Sequence, residues 1–492
     1  MRIFEAHRRH QDRQHPALSY RGQVISYGEL DEQVSRFAGY FQHLGVQPGD
    51  RVAICSPNCP EFVYSYLGAA LAGAIVVPIN LMLSLPEIAF ILQDAGVSCL
   101  VIHPVILQKV SLPADASSLG IKSLVVLNEE TLAAINQAGE PQPVKVKEDD
   151  TCSLLYTSGT TGKPKGAMLT HFNLMSNVRS LDEASDLGPD DRFICVLPMF
   201  HSFAWTVCVL LPLYLGSTIY ILDSFGPKEL LRTLVEDKIT VFCGIPSMFA
   251  VLVQMGEAAQ LSLKLAIAGG AGLPAEVQKG FEAKFSFPLI EGYGLSEASP
   301  VCCLNPLAPE AVRKPGSIGI PLPGVKMRLV DDEDRDVPRG EVGEIVVQGP
   351  NVMKGYWNLP EATAETLRNG WLHTGDLGRQ DEDGYFYVVD RKKDMIICAG
   401  FNVYPREVEE VLLTHPQVVE AAVVGVGDPL KGETIKAFVV LEEQAQLDGR
   451  ALQEFLKDRI ASYKIPRLWE FVSELPKGAT GKVLKKLLKE AR

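Results

Sequence analysis

The sequence predicts an α/β protein: a large N-terminal region of two αβ-layered subdomains and a small β subdomain, then a small α+β C-terminal domain. Three observations predict it. Short apolar runs alternate with helical patterns along most of the first half, the mark of parallel βαβ units. Between 325 and 348 the texture changes to strand and turn. After Asp390 the charge balance shifts. Residues 391–492 carry 17 Lys/Arg and 15 Asp/Glu, a net of +2, so −15 of the total −13 falls on 1–390. The length, 492 residues, at about 150 residues per domain suggests roughly three domains.

The elements follow in order. Residues 51–55 read as a strand, 60–72 as a helix, 74–78 as a strand, 85–95 as a helix and 99–103 as a strand. The alternation resumes with strands at 153–156, 192–197, 218–222, 240–243 and 265–268. The uncharged run 203–222 is as long as a membrane span. Pro212 and Gly216 interrupt it, however, so it reads as a buried helix ending near Leu215, a glycine turn, and a buried strand. Asp331-Asp332-Glu333-Asp334 marks a hairpin tip. The last hundred residues hold a helix at 406–414, strands at 421–426 and 435–441, and a helix at 451–460.

Composition excludes several classes. Hydrophobic residues at 47% and charged residues at 22% are ordinary for a globular chain. A net charge of −13 argues against tracking a nucleic-acid backbone, which needs a basic footprint. It argues equally against broad adsorption to anionic membrane. The ten cysteines form no CxxC pair and mostly sit in apolar runs such as Ile194-Cys195-Val196. That favours buried free thiols in a reducing interior over zinc or disulfides. The N-terminal stretch has no apolar core of a signal peptide, and a cytoplasmic location is expected.

The strongest local signal is Tyr156-Thr157-Ser158-Gly159-Thr160-Thr161-Gly162-Lys163-Pro164-Lys165-Gly166. Two glycines let the backbone curl so that amides converge, and hydroxyls and lysines add donors and charge, which suits a triphosphate. The spacing is not that of a Walker A loop, and Pro164 blocks that geometry.

This segment resembles the signature loop of the adenylate-forming superfamily of acyl-CoA synthetases, luciferases and peptide-synthetase adenylation domains. Further blocks match in the family's order over nearly the whole chain. They are Pro198-Met-Phe-His201, Gly269-Gly270-Ala271, Glu291-Gly292-Tyr293-Gly294-Leu-Ser296-Glu297, Gly343-Glu344-Ile345, Trp371-Leu-His-Thr-Gly-Asp376, Asp390-Arg391-Lys-Lys393 through Gly400, and Pro476-Lys-Gly-Ala-Thr-Gly-Lys482.

The resemblance implies a reaction in two halves. A carboxylate attacks the α-phosphorus of ATP to give acyl-AMP and pyrophosphate; coenzyme A thiolate then displaces AMP. The first half brings two anions together, so positive charge and a metal must screen the approach. By resemblance, Lys482 is the main electrostatic catalyst of adenylation. Glu297 is the Mg²⁺ ligand, a hard oxygen donor suited to that ion, with Ser158 on the metal side. The loop residues Thr157 to Lys165 and Ser296 hold phosphates. Ser296 stands where the family usually has Thr, which keeps the hydroxyl. Asp376 accepts the ribose hydroxyls and Arg391 contacts the ribose from the other side. Gly269, Gly270 and Ala271 let adenine lie against the backbone, and Tyr293 stacks on its other face. Glu291, Gly292 and Gly294 belong to the same nucleotide-binding block. Lys393 is the hinge about which a mobile C-terminal lid rotates, with the boundary between 390 and 391. After rotation Ala399-Gly400-Phe401 line the pantetheine tunnel.

His201 faces the acyl pocket by resemblance, with Gly292. Trp205 lies four residues on, on the same helical face, and matches the aromatic gate of long-chain fatty-acyl-CoA synthetases. Apolar Val207, Val209, Leu210 and Leu211 suit an alkyl chain, since transfer gains about 0.8 kcal/mol per methylene buried. Ile397 replaces a lysine found in aryl-CoA ligases. A medium- or long-chain fatty acid is therefore the expected substrate, beside ATP and coenzyme A, with a homodimer as the expected assembly. An aryl- or short-chain acid ligase and a stand-alone enzyme loading a carrier protein stay open.

Overall fold

The alternating pattern becomes two sheets in a computed structural model, which describes all residues except 110–119, 159–162, 257–258, 308–310, 399–400, 429–431, 444, 479–482 and 491–492. The chain divides into two compact units. The first takes Met1–Pro315, Gly319–Met327 and Val347–Leu372; the second takes Gly316–Ile318, Arg328–Val346 and His373–Arg492.

In the first unit the strands are β1 (Pro16–Tyr20), β2 (Gln23–Ser26), β3 (Arg51–Cys55), β4 (Ile75–Pro78), β5 (Val97–Ile102), β6 (Ser123–Val126), β7 (Thr151–Ser158), β8 (Pro164–Thr170), β9 (Arg192–Cys195), β10 (Thr218–Ile221), β11 (Val241–Gly244), β12 (Leu265–Ala268), β13 (Ile290–Gly294), β14 (Val301–Leu304) and β15 (Ile320–Pro321). One sheet runs β6-β5-β3-β4-β7-β8 and the other β15-β14-β13-β12-β11-β9-β10-β1-β2. Pairing is parallel from β6 to β7, and β8 returns antiparallel. In the larger sheet β1, β10, β9, β11, β12 and β13 are parallel; β2 pairs antiparallel with β1, β14 with β13, and β15 with β14. Parallel strands covered on both faces explain the unbroken apolar runs, such as buried Val52, Ala53 and Ile54.

The helices show why the sequence folds this way. Tyr27–His43 begins at Ser26, whose hydroxyl accepts from the Glu29 N–H while the Glu29 carboxylate accepts from the Ser26 N–H, a capping box. The helix Pro60–Leu71 starts on proline, whose missing N–H costs nothing there. Gly68 lets the two helices approach: a Cβ at this position would sit 2.7 Å from Phe37 Cβ.

The uncharged run folds as read, with one refinement. Ala204–Leu210 is a π-helix, Leu211–Leu215 an α-helix, and Gly216 ends it at φ +83° before β10. Among the described residues, no helix is long and apolar enough to cross a membrane. All ten cysteines are free, nine of them buried.

In the second unit, Phe386–Arg391 pairs antiparallel with 376–380. The acidic tip turns as expected, with the Asp331 N–H donating to the Arg335 carbonyl at 2.9 Å and Asp334 at φ +63°. The long strands Val418–Asp428 and Gly432–Leu441 are antiparallel, and Leu468–Phe471 adds in parallel. The helices Pro405–Leu413 and Gly449–Lys457 bury Val408, Leu412, Leu452 and Leu456 against Val423, Ala437 and Val439. Packing thus groups 328–346 and 373–390 with the C-terminal residues, whereas the charge step falls after 390.

Candidate active site

In the first unit the glycine-rich loop is carried by a hairpin, β7 and β8, with Thr157 opposite Lys165 and Ser158 opposite Pro164. The crest, Gly159, Thr160, Thr161 and Gly162, and the Ser158 side chain lie outside the described residues. Lys163 Nζ stands 5.8 Å from the Phe90 ring centre, and Lys165 Nζ stands 5.2 Å from that of Tyr356.

Glu297 sits in the short turn Ser296–Ala298 and is buried. The Thr157 hydroxyl donates to its Oε1 at 3.2 Å and the Tyr356 hydroxyl donates to the same oxygen at 2.9 Å. The other carboxylate oxygen makes no hydrogen bond among the described residues, so a hard oxygen beside the phosphate-loop hairpin is left for a cation, a fit to Mg²⁺. Ser296 Oγ lies 3.1 Å from Ser202 Oγ, which joins this turn to the residue after His201.

Small residues shape the next part. Gly269 follows β12, and a Cβ there would meet the Phe203 ring at 3.0 Å; Gly270 adopts φ +80°. Ala271 is half-buried. The buried Glu291 carboxylate accepts from the Leu273 N–H at 3.2 Å, fixing the turn after Gly270. Gly292 pairs with Leu304, Tyr293 with Cys303, and Gly294 with Val301. A Cβ on Gly292 would approach Leu304 Cδ1 to 2.9 Å.

His201 Nδ1 accepts from the Phe203 N–H at 3.2 Å. Burial pushes the imidazole pKa down to about 4, so the ring is neutral near pH 7, with its proton on Nε2. Trp205 N–H donates to the His201 carbonyl at 3.0 Å. Its ring stacks on Tyr66 at 3.7 Å and 20°, with Phe62 beside it at 5.9 Å. π-helical turns are rare and concentrate at functional sites, and this one begins at Ala204, next to Trp205.

In the second unit, Asp376 lies opposite Arg391 across the strand pair, and Arg391 Nε is 3.0 Å from Asp376 Oδ1. Lys393 occupies the short turn Lys392–Asp394; burial first, then the Arg391 charge, lowers its pKa. Its neighbour Lys392 is held by Asp332 at 2.8 Å and Glu344 at 3.1 Å. Phe401 is exposed and stacks on Tyr463 at 4.8 Å. Gly400 and Lys482 lie outside the described residues.

Two residues were missed from sequence. Tyr356 offers a signal, the aromatic pair Gly355-Tyr356-Trp357 ahead of Asn-Leu-Pro. The other is Asp390, which opens the stretch Asp390-Arg391-Lys392-Lys393. Its carboxylate accepts from the Arg391 and Arg406 N–H groups, both at 2.7 Å.

A glycine-rich strand–loop–strand hairpin with a buried carboxylate beside it, and a paired Asp and Arg in the second unit, accompany a family match. The chain belongs to the AMP-binding enzyme family. That family's model matches residues 4–357, and the AMP-binding enzyme C-terminal domain matches 407–482. It is 40% identical over 472 residues to a feruloyl-CoA synthase of an Amycolatopsis species, covering 95% of this chain and 94% of that one. It is 37% identical to a long-chain-fatty-acid–CoA ligase of Bacillus subtilis (strain 168), covering 96% and 91%. Among solved structures it resembles ATP-bound MatB from Rhodopseudomonas palustris, with a TM-score of 0.93, 34% identity, and 100% and 99% of the two chains covered.

Proposed function

We propose that the chain is an AMP-forming acid:CoA ligase whose preferred acid is a medium- or long-chain fatty acid. An acid carboxylate attacks the α-phosphorus of ATP and the bond to pyrophosphate breaks. The thiol of coenzyme A then adds to the acyl carbonyl of acyl-AMP, and AMP leaves. The observation that carries the choice of acid is the segment after His201. Residues 202–213 are uncharged and all buried, with Trp205 among them, so this wall offers an acid dispersion contacts and no second charge to pair with.

In this reading residues 157–165 and Ser296 bind the phosphates. Glu297 takes Mg²⁺ with Ser158 on the metal side; when bound, the ion screens the negative charge of the phosphates. Asp376 takes the ribose hydroxyls beside Arg391, and their 3.0 Å contact supports that pairing. Gly269, Gly270, Ala271 and Tyr293 sandwich adenine, with Glu291 bracing the turn and Gly292 and Gly294 keeping the strand thin. His201, Trp205 and Gly292 meet the acyl group. Lys482 supplies positive charge to the adenylation step. Rotation about Lys393, with the domain boundary at 390/391, brings Gly400 and Phe401 to the pantetheine arm.

A panel of acids in a pyrophosphate-release assay, with and without coenzyme A, tests the substrate. Saturation by decanoate or longer acids with release of AMP and acyl-CoA is the expected result. A second reading, an aryl-acid ligase, draws on the 40% identity to feruloyl-CoA synthase; saturation by coumarate but not decanoate would establish it. Thioester formed on a carrier protein and not on coenzyme A would favour a carrier-loading enzyme. Lys482→Ala is expected to remove most acyl-AMP formation, and undiminished formation contradicts its role. A cytoplasmic homodimer completes the reading. Ten free thiols support the reducing compartment, and light scattering decides the assembly.

A further inference from the structure

We propose that Tyr356 is a positioning residue for Glu297: its hydroxyl fixes the carboxylate so that one oxygen is spent on the protein and the other is aimed at the metal. The inference rests on the reading of Glu297 as the Mg²⁺ ligand.

Glu297 Oε1 receives two hydroxyl donors from separate parts of the first unit, Thr157 on β7 and Tyr356 on the segment 353–357. Two donors on one oxygen fix both the position of the carboxylate and the rotation of its plane. That segment is itself secured on both sides. The Met353 N–H donates to the Glu297 carbonyl at 2.8 Å, Lys354 N–H to the Met168 carbonyl at 3.0 Å, and Trp357 N–H to the Gly166 carbonyl at 2.7 Å. Met168 and Gly166 belong to β8, the outgoing arm of the phosphate-loop hairpin. The Tyr356 N–H is also taken by Thr363 Oγ1 at 2.9 Å. The phenol is therefore held by its own backbone, and it links hairpin and carboxylate.

The donor roles follow from the geometry: the Tyr356 hydroxyl donates to Glu297 Oε1 at 2.9 Å, and a carboxylate oxygen accepts. The same ring carries Lys165 Nζ at 5.2 Å, so one side chain bears on a loop lysine and on the acid. Partners of this kind outside the metal's own ligands commonly carry a tenfold or larger share of metal affinity.

The test is ATP binding to the full chain by calorimetry, once with Mg²⁺ and once with a chelator. The readout is the gain in ATP affinity that Mg²⁺ brings. Tyr356→Phe keeps the ring and loses only the hydroxyl. It is expected to cut that gain by roughly tenfold while affinity in chelator stays as in the wild type. Glu297→Gln is the control and should cut the gain at least as far. A wild-type gain in Tyr356→Phe, with the gain lost in Glu297→Gln, overturns the positioning role and leaves the ligand reading intact. A wild-type gain in Glu297→Gln overturns the ligand reading, and the inference with it. Equal loss of affinity with and without metal in Tyr356→Phe would mean a structural role only, and would also overturn it. Should Tyr356→Phe fail to fold, Thr363→Val removes the acceptor that holds the Tyr356 N–H. A reduced gain there, with affinity in chelator unchanged, supports the positioning role, and an unchanged gain overturns it.

Discussion

Gly294 shows how closely single positions are constrained. A Cβ there would stand 2.0 Å from the Pro300 carbonyl oxygen, a backbone atom that no rotamer change can remove. Gly294→Ala should therefore destabilise the first unit by about 1–3 kcal/mol, as overpacking does, read as a lower thermal midpoint. An unchanged midpoint would show that β14 yields freely. Other residues act by chemistry rather than space. Asp376 and Arg391 face each other at 3.0 Å, and if they hold a ribose, Asp376→Ala should raise the KM for ATP at least tenfold, about 1.4 kcal/mol. A KM within twofold of the wild type would remove that role. Asp376 was legible because its motif is local. Tyr356 was not, because its partner Glu297 is remote in sequence and only the hairpin between them brings the hydroxyls together.

Elements depend on contacts that no single segment encodes. The last described helix, Lys485–Glu490, is docked by Lys485 Nζ on Glu409 Oε1 at 2.7 Å, and the same oxygen accepts from the Val423 N–H. Burial raises the Glu409 pKa against the lowering effect of Lys485. Removing the cation leaves that carboxylate buried and uncompensated, which typically costs about 3–5 kcal/mol. Lys485→Met should accordingly speed amide hydrogen exchange in Val418–Asp428, and the double variant with Glu409→Leu should recover most of the protection. Equal exchange in Lys485→Met and the wild type would show the pair to be incidental. In sequence Lys485 is one of several closely spaced lysines near the C-terminus; packing gives it a separate task. The π-helix at Ala204–Leu210 was equally unreadable, since an apolar run carries no mark of a widened turn.

For the whole molecule, buried histidines couple fold to pH. Burial lowers the pKa values of His7, His171 and His201, to about 4 for the last two. The unfolded chain takes up these protons near pH 6.5, above the folded values, so their contribution to stability is complete above pH 6.5 and is lost between 6.5 and 4. The urea midpoint should fall over that window, and less so in His171→Gln, since His171 Nδ1 accepts the Ile3 N–H inside the first unit. A midpoint that stays level on acidification would contradict this. Charge at this scale misleads: a total of −13 sits on a member of the AMP-binding enzyme family, and in the proposed reading a few local groups, Lys163 and Lys165 among them, meet the phosphates.

The sequence by itself determined the class of fold, the alternation of strand and helix where apolar runs mark it, and the family. Buried parallel strands write continuous apolar runs, and a phosphate loop needs glycines in fixed order; both are local signals. Only the tertiary structure decided that β8 returns beside β7, that Tyr356 reaches Glu297, that Trp205 stacks on Tyr66, and that Asp390 ties Arg391 to Arg406. The contacts of Tyr356 with Glu297 and of Trp205 with Tyr66 join residues far apart in the chain. Short-range spacing cannot encode such contacts, because they depend on how whole elements pack.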